Sequence, residues 1–140
     1  MLSAFSKFKQ IINKINSKET VLWTGISQGG NYINVNVNGY SRLRVKVRLS
    51  GIIVFVEVDL TEITINITKD SIVYNYGNAV SAGAMDGEQY LNKASIAVNS
   101  DKTKVIGYNF GYASLASNWN FQNRDGSGNS WAILEIVGIK

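Results

Sequence analysis

Aromatic and amide side chains alternate near the C-terminal end of this 140-residue sequence. One stretch, from Gly107 to Tyr112, alternates aromatic residues with Gly and Asn, and the next, from Ser117 to Asn123, alternates aromatic and amide residues. Sugar rings stack their C–H faces on aromatic rings, and their hydroxyl groups hydrogen-bond to amide side chains. The pattern therefore favours a carbohydrate site, and its candidate contacts are Tyr108, Tyr112, Trp119 and Asn120.

The same alternation also has a structural explanation. The core of a β-sandwich needs one aromatic or apolar face on each strand, which this pattern would supply. Gly107 and Gly111, on the opposite face of the stretch, indicate tight packing or the close approach of another chain. Both interpretations place these residues on a strand.

This sequence contains few residues suited to catalysis or to metal binding. It contains no His and no Cys, so it lacks the commonest general base and any thiolate ligand. The nearest carboxylate pairs, Asp59 with Glu62 and Asp86 with Glu88, occur where solvated polar residues are expected. The segment 125–130 has a faint likeness to a calcium loop, but it has one carboxylate and its glycines suit a turn equally well. We therefore expect no enzymatic activity, no metal and no cofactor.

Basic and apolar residues alternate from Arg42 to Leu49, and this stretch forms one arm of a hairpin. The second arm, from Ile52 to Leu60, alternates in the same way after the turn Ser50-Gly51. A single register keeps the apolar residues on one face and places opposite charges across from each other on the other face. This register pairs Leu49 with Ile52, Val47 with Val54, Val45 with Val56, Leu43 with Val58, Arg44 with Glu57 and Arg42 with Asp59.

The register also defines a small basic patch. Lys46 and Arg48 face Phe55 and Ile53, so a cation–aromatic contact is possible there and both basic residues are further candidate ligand contacts. Arg42 and Arg44 lie opposite acidic residues in this register. The remaining basic stripe is therefore too thin to favour an oligonucleotide-binding surface. We therefore expect no nucleic-acid partner.

The residues that could do chemistry are carried by many short strands. Gly- and Asn-rich turns separate them, and β-branched and aromatic residues dominate them. Strands without intervening helices predict an all-β fold, an antiparallel, jelly-roll-like β-sandwich spanning residues 20–140. The segment Ser81–Asn92 is predicted to be a long loop. The predicted strands are Val21–Trp23, Tyr32–Val37, Leu43–Leu49, Ile52–Leu60, Ile63–Thr68, Ile72–Tyr76, Ala94–Val98, Lys104–Tyr112, Trp119–Gln122 and Trp131–Ile139.

Residues 1–19 differ from the rest, because their apolar residues follow a helical period. Phe5, Phe8, Ile12 and Ile15 fall at 3-4-3 spacing, with lysines mostly on other faces. A helix this short is marginal alone in water, so its apolar stripe must be buried. It could pack on its own domain, associate with copies of itself through these four residues, or lie on a membrane.

The charge and hydropathy of the whole chain are consistent with one ordinary domain. The net charge of +4 favours anionic partners, although it also suits plain solubility. No segment reaches the ~18 apolar residues that a membrane span requires. The start of the chain lacks the continuous apolar core and small-residue cleavage site of a secretory signal.

Three segments resemble the C-terminal domains of phage tail-fibre and receptor-binding proteins. The first is the Leu-Trp-Thr-Gly step at 22–25, followed by a glycine turn and a short strand at 29–35. The second is Gly39–Val45, in which a Tyr precedes a strongly apolar strand. The third is the ending at 131–140, which closes on Ile-Val-Gly-Ile-Lys. Together the likeness covers roughly residues 21–140.

The resemblance implies a homotrimeric β-sandwich at the tip of a phage tail, where it would bind a bacterial surface glycan or wall polymer. No binding residue carries over from that family, because its ligand-contacting loops vary. Such tips usually end a long fibre, so this chain is expected to be a small separate virion subunit or an accessory attachment protein. The alternatives are a purely structural subunit that contacts other tail or baseplate proteins, and a membrane-active or pore-forming β protein.

Overall fold

The computed structural model describes residues 3–16, 18–83 and 90–140, and of residues 12–16 it describes the backbone alone. Within these described residues, one α-helix precedes ten strands, and a short 3₁₀ turn follows β8. The elements are α1 Ala4–Asn16, β1 Glu19–Gln28, β2 Tyr32–Asn34, β3 Arg42–Leu49, β4 Ile52–Asp59, β5 Ile67–Lys69, β6 Ile72–Ala82, β7 Tyr90–Asn99, β8 Lys104–Ser114, the 3₁₀ turn Leu115–Ser117, β9 Gln122–Asn123 and β10 Trp131–Ile139.

The strands form two antiparallel sheets. The order is β1–β10–β3–β4 in the four-stranded sheet and β2–β8–β7–β6–β5 in the six-stranded sheet, where β9 also pairs with β8. As in a jelly roll, the first strands pair with late strands, β1 with β10 and β2 with β8. The predicted antiparallel β-sandwich with a short N-terminal helix is confirmed.

The β3–β4 hairpin has the predicted register at every position, from Leu49 opposite Ile52 to Arg42 opposite Asp59. Its turn residues, Ser50 and Gly51, have φ of 52° and 87°. Two positive φ angles are the mark of a type I′ turn, whose twist matches that of the two strands. The hairpin therefore forms as the alternation and the turn chemistry together predict.

The charged side chains of this hairpin make different contacts from the predicted ones. Arg44 lies opposite Glu57 in register, but its guanidinium donates two hydrogen bonds, of 3.0 and 2.9 Å, to the carboxylate of Glu19 on β1. Arg42 reaches diagonally to Glu57, with 3.7 Å between the closest N and O atoms. The carboxylate of Asp59 instead accepts hydrogen bonds from Thr61. The register is as predicted, but the expected side-chain contacts of Arg44 with Glu57 and of Arg42 with Asp59 are wrong. Only β10 lies between β3 and β1, and Arg44 is long enough to cross it.

The pairing of Arg44 with Glu19 has a measurable pH signature. The hydrogen bond from Arg44 holds the pKa of the Glu19 carboxyl below its ordinary value. A carboxyl whose pKa is lower in the folded state than in the unfolded state stabilises the fold above the unfolded pKa, and this stabilisation is lost as pH falls through the folded pKa. In Arg44→Met, we expect the pKa of Glu19 to rise towards the ordinary glutamate value in an NMR titration of carboxyl carbons.

Asp59 is the internal control for that titration. Its pKa is lowered mainly by the hydrogen bond from the Thr61 hydroxyl, so it should hardly move in Arg44→Met. The difference in urea stability between the wild type and Arg44→Met should also shrink as pH falls through the pKa of Glu19. A Glu19 pKa that is the same in both proteins would show that the bridge does not form in solution.

The main core lies between the two sheets. Its largest fully buried members include Leu43 and Leu49 from the four-stranded sheet and Ile96 and Phe110 from the six-stranded sheet. A second, smaller cluster lies on the outer face of the six-stranded sheet, where the segment 63–66 crosses it and Ile65 covers Gly77. The members of this cluster are Tyr74, Ala97 and Ile106, with Ile65, Ile67, Ile72 and Tyr108 packed against them.

Several predicted strands have other bounds in the structure, such as Val21–Trp23 and Tyr32–Val37, and three predicted elements differ in kind. The predicted strand Ile63–Thr68 is a covering segment that becomes β5 only at Ile67. The predicted strand Trp119–Gln122 is mostly a loop, and β9 contains only Gln122 and Asn123. The predicted loop Ser81–Asn92 is strand at both ends, because β6 runs to Ala82 and β7 starts at Tyr90. Its centre, with Asp86 and Glu88, lies outside the described residues.

The apolar stripe of α1 faces solvent in the part that is described. Phe5, Phe8 and Ile11 are 73%, 62% and 57% exposed, so these three side chains do not pack on the sandwich. The side chains of Ile12 and Ile15 lie outside the described residues. Among the described helices, none is long and apolar enough to cross a bilayer.

Candidate functional site

The aromatic residues of β8 do not share one face, because the strand contains a β-bulge at Asn109. Asn109 has φ of 50°, and the register with β7 shifts between the pairs Tyr108–Ser95 and Gly111–Lys93. The extra residue turns the following side chains to the opposite side. Tyr108 therefore belongs to the outer cluster, whereas Phe110 is fully buried in the main core.

Asp125 holds this bulge in place. Its carboxylate accepts hydrogen bonds from the backbone N–H groups of Asn109, at 2.8 Å, and Phe110, at 2.9 Å. Gly29 lies so close that a Cβ there would collide with the carboxylate. The segment predicted as a turn rather than a calcium loop does form turns, with φ of 75° at Gly126 and 119° at Gly128. The one carboxylate of this segment, that of Asp125, accepts hydrogen bonds from the backbone of β8.

Tyr112 is part of a packed aromatic group at the end of the sandwich. Its ring stacks on Trp131 at 6.0 Å between centroids and meets Tyr90 edge-on at 5.3 Å. Arg124 donates a 2.9 Å hydrogen bond to the Tyr112 hydroxyl. These contacts give Tyr112 a structural role, since they close the gap between β8 of one sheet and β10 of the other.

The residues between β8 and β9, 115–121, form a loop that presents Trp119, and we call it the Trp119 loop. It opens with the 3₁₀ turn, which Ser114 and Ser117 cap reciprocally. Asn118 and Trp119 then both adopt left-handed conformations, with φ of 53° and 61°. The N–H of Trp119 donates a 2.8 Å hydrogen bond to the Ser114 carbonyl. The loop is thus shaped by its own backbone and serine hydrogen bonds.

Trp119 is unusual in both conformation and exposure. Asn visits the left-handed region readily, but a bulky residue there is a genuine outlier that costs of order 1–3 kcal/mol. The Trp119 side chain is nevertheless 48% exposed, so the strained backbone does not serve to bury the ring. Such strain is found more often at binding sites than elsewhere.

Amide side chains are neighbours of Trp119 in the chain, and a basic group lies across the sheet beside Phe121. Asn120 is exposed, and its backbone carbonyl accepts hydrogen bonds from Ser117 at 3.0 Å and Gln122 at 3.4 Å. Phe121, 43% exposed, covers Gly111. The Lys93 ammonium lies 5.8 Å from the centre of the Phe121 ring. The alternation at 117–123 indicated the aromatic and amide groups, but only the β7–β8 register places Lys93 beside them.

The structure divides the six predicted ligand residues among separate places. Trp119 and Asn120 share the Trp119 loop, and Tyr108 lies on the outer face of the same sheet, where burial raises the pKa of its hydroxyl. Lys46 and Arg48 lie on the outer face of the other sheet. The patch they form with Phe55 and Ile53 has the predicted register, but it cannot belong to a site at the Trp119 loop. Among the described residues, no three acidic side chains lie close enough together to hold a metal ion.

Comparison of the chain with protein-family models, with curated proteins and with solved structures gave no match.

The Trp119 loop and its neighbours can therefore be interpreted only from their chemistry. They present two half-exposed aromatic rings, side-chain amides and one ammonium group at the end of β8. Aromatic faces accept apolar C–H surfaces, and amides donate and accept hydrogen bonds at once. This combination suits a ligand that has both apolar faces and many hydroxyl groups.

Proposed function

We propose that this chain is a phage tail or baseplate protein that binds a carbohydrate of the bacterial surface through the Trp119 loop. The observation that carries the binding part of the proposal is Trp119, which is strained, half exposed and followed by amide side chains. The resemblance of 22–25, 39–45 and 131–140 to tail-fibre tip domains supports the assignment to a virion that acts outside the host cell. No enzymatic step is part of this role.

The proposed assembly is a homotrimer joined by α1. Phe5, Phe8, Ile12 and Ile15 form the proposed contact, and Ile at both core positions favours three or more helices. Copies of the helix would cover the exposed Phe side chains, which the sandwich leaves uncovered. Three equivalent weak sites would then bind a repetitive surface by avidity.

Binding of the intact protein to a glycan array and to whole bacteria tests the adhesion part. We expect binding to a bacterial surface saccharide, and we expect a chain lacking residues 1–19 to bind the same saccharide with lower apparent affinity. This loss of avidity would show that the helix assembles the sites without forming them. Failure of the intact assembly to bind any bacterial surface would remove the adhesion part.

The exposed stripe of α1 also favours a second function, that of a virion subunit without a ligand, in which α1 docks on other tail or baseplate proteins. In that case deletion of residues 1–19 abolishes assembly, and no form of the protein binds sugar. The lysines beside the stripe leave a membrane-active role as a third candidate. Failure to release dye from anionic liposomes would dispose of it.

A further inference from the structure

The strands of the four-stranded sheet carry equal numbers of positive and negative side chains on their outer face. The registers of β1, β10, β3 and β4 place four basic and four acidic residues there, in a chain whose net charge is +4. These residues are Arg42, Arg44, Lys46, Arg48, Glu19, Glu57, Asp59 and Glu135. An anion-binding surface needs a large excess of positive charge, whereas this face has an excess of only one, from Lys18, which borders it just before β1.

The same face exposes large apolar side chains among the charges. Phe55 is 51% and Ile53 43% exposed on β4, and Val21 is 58% exposed on β1. Scattered single apolar residues are ordinary at a surface. Here, however, Val21 lines an open groove of about 570 Å³, and Phe55 and Ile53 lie on the edge strand β4 of the same face. The groove is lined by Lys18, Glu19, Val21, Arg42, Arg44, Glu135, Val137 and Ile139.

The short connection between α1 and β1 keeps this face close to the helix. Only two residues, 17 and 18, separate the end of α1 from the start of β1, and Lys18 itself lines the groove. A bundle of α1 helices would therefore hold the four-stranded sheets of neighbouring copies close to one another. Three copies around an axis make the same pair of surfaces meet at each contact.

A second copy of this chain is the occupant that fits the charges. A nearly balanced mosaic of both signs can meet another copy with opposite charges across the contact, and charge complementarity of this kind selects the partner and the register. Exposed aromatic residues are the groups that most often dominate the energy of such contacts. Lys46 and Arg48 then contribute to assembly rather than to ligand binding.

We propose that the outer face of the four-stranded sheet is the contact surface between copies of this chain, with Phe55 on its β4 edge. The proposal rests on the homotrimer proposed above and adds a second contact to that of α1. Each copy offers Phe55 and Ile53 to its neighbour. Lys46 and Arg48, which make no salt bridge among the described residues, pair with acidic side chains across the contact.

Phe55→Asp in the full-length chain is the test, with Val73→Asp as the matched control. Val73 is 47% exposed on β6 of the other sheet, so it has similar exposure on a surface outside the contact. We expect sedimentation equilibrium to show a homotrimer for the wild type and for Val73→Asp. For Phe55→Asp we expect dissociation at concentrations roughly tenfold higher or more.

A spin label gives a readout that does not depend on the stability of Phe55→Asp. The chain has no native cysteine, so Phe55→Cys carries a single nitroxide, and we expect dipolar coupling between labels of neighbouring copies. A homotrimer that is insensitive to Phe55→Asp and lacks coupling at position 55 would overturn this contact and leave the helical trimer standing. A monomeric wild type would overturn both.

Discussion

Phe110→Ala should lower the free energy of unfolding by about 3–5 kcal/mol in urea denaturation at neutral pH. The Phe110 ring is fully buried in the main core. It also lies so close to Gly107 and Gly29 that a Cβ at either glycine would be within 2.7 and 3.1 Å of the ring atoms. Backbone neighbours held by hydrogen bonds, one on β8 and one just after β1, cannot collapse into the cavity that Ala leaves, so the cost should be at the upper end.

Tyr108→Ala is the matched comparison, because the two aromatic residues lie two positions apart on β8. Tyr108 is half-buried on the outer face, so its loss should cost about 1–2 kcal/mol. The bulge at Asn109 is what separates them. If the strand were regular, the two residues would share a face and the two substitutions would have similar effects. Equal costs would therefore contradict the bulge.

The bulge shows where local sequence patterns stop being informative. The alternation from Gly107 to Tyr112 is unbroken in the sequence, and it predicts one aromatic face. Asn is several-fold enriched in the left-handed region, but most asparagines lie outside it, so Asn109 gives no strong sign of the irregularity. The decisive partner is Asp125, sixteen residues away, and a carboxylate followed by Gly is first of all a turn signal.

The β3–β4 hairpin is the opposite case, because every determinant of its register is local. Strand period, turn residues and cross-strand charges lie within residues 42–59 and agree with one another. The side-chain partners of the arginines could not be predicted from this local pattern. The pairing of Arg44 with Glu19 depends on β10 lying between β3 and β1, and strand order of this kind joins the two ends of the chain.

The candidate site was predictable in its residue types and not in its geometry. The alternation of aromatic and amide residues identified Trp119 and Asn120, but it predicted a strand where the chain forms a loop. Favourable β-propensity is overridden there by serine capping and by two successive left-handed residues. Lys93 had no signal in the sequence, since only its pairing with Gly111 brings it beside Phe121.

Removal of the Trp119 side chain should weaken carbohydrate binding by roughly 30-fold or more, which corresponds to about 2 kcal/mol. Trp119→Ala and Trp119→Gly should share this loss, because both remove the exposed ring on which a sugar would stack. Tyr32→Ala is the control, since Tyr32 is another exposed aromatic residue, at 44%, and lies on β2 outside the loop. Titration of the saccharide identified on the array, followed by calorimetry, measures the affinity of each variant.

The same two variants should differ in stability in an order that is the reverse of the usual one. Gly normally destabilises a structured position relative to Ala, but at φ of 61° Ala meets a steric penalty that Gly avoids. We therefore expect Trp119→Gly to be more stable than Trp119→Ala by about 1 kcal/mol in urea denaturation. If Ala were the more stable, residue 119 would not be left-handed in solution, and the argument from strain to binding would fail. If the order held but both variants bound sugar like the wild type, the strained loop would be real and the site would lie elsewhere.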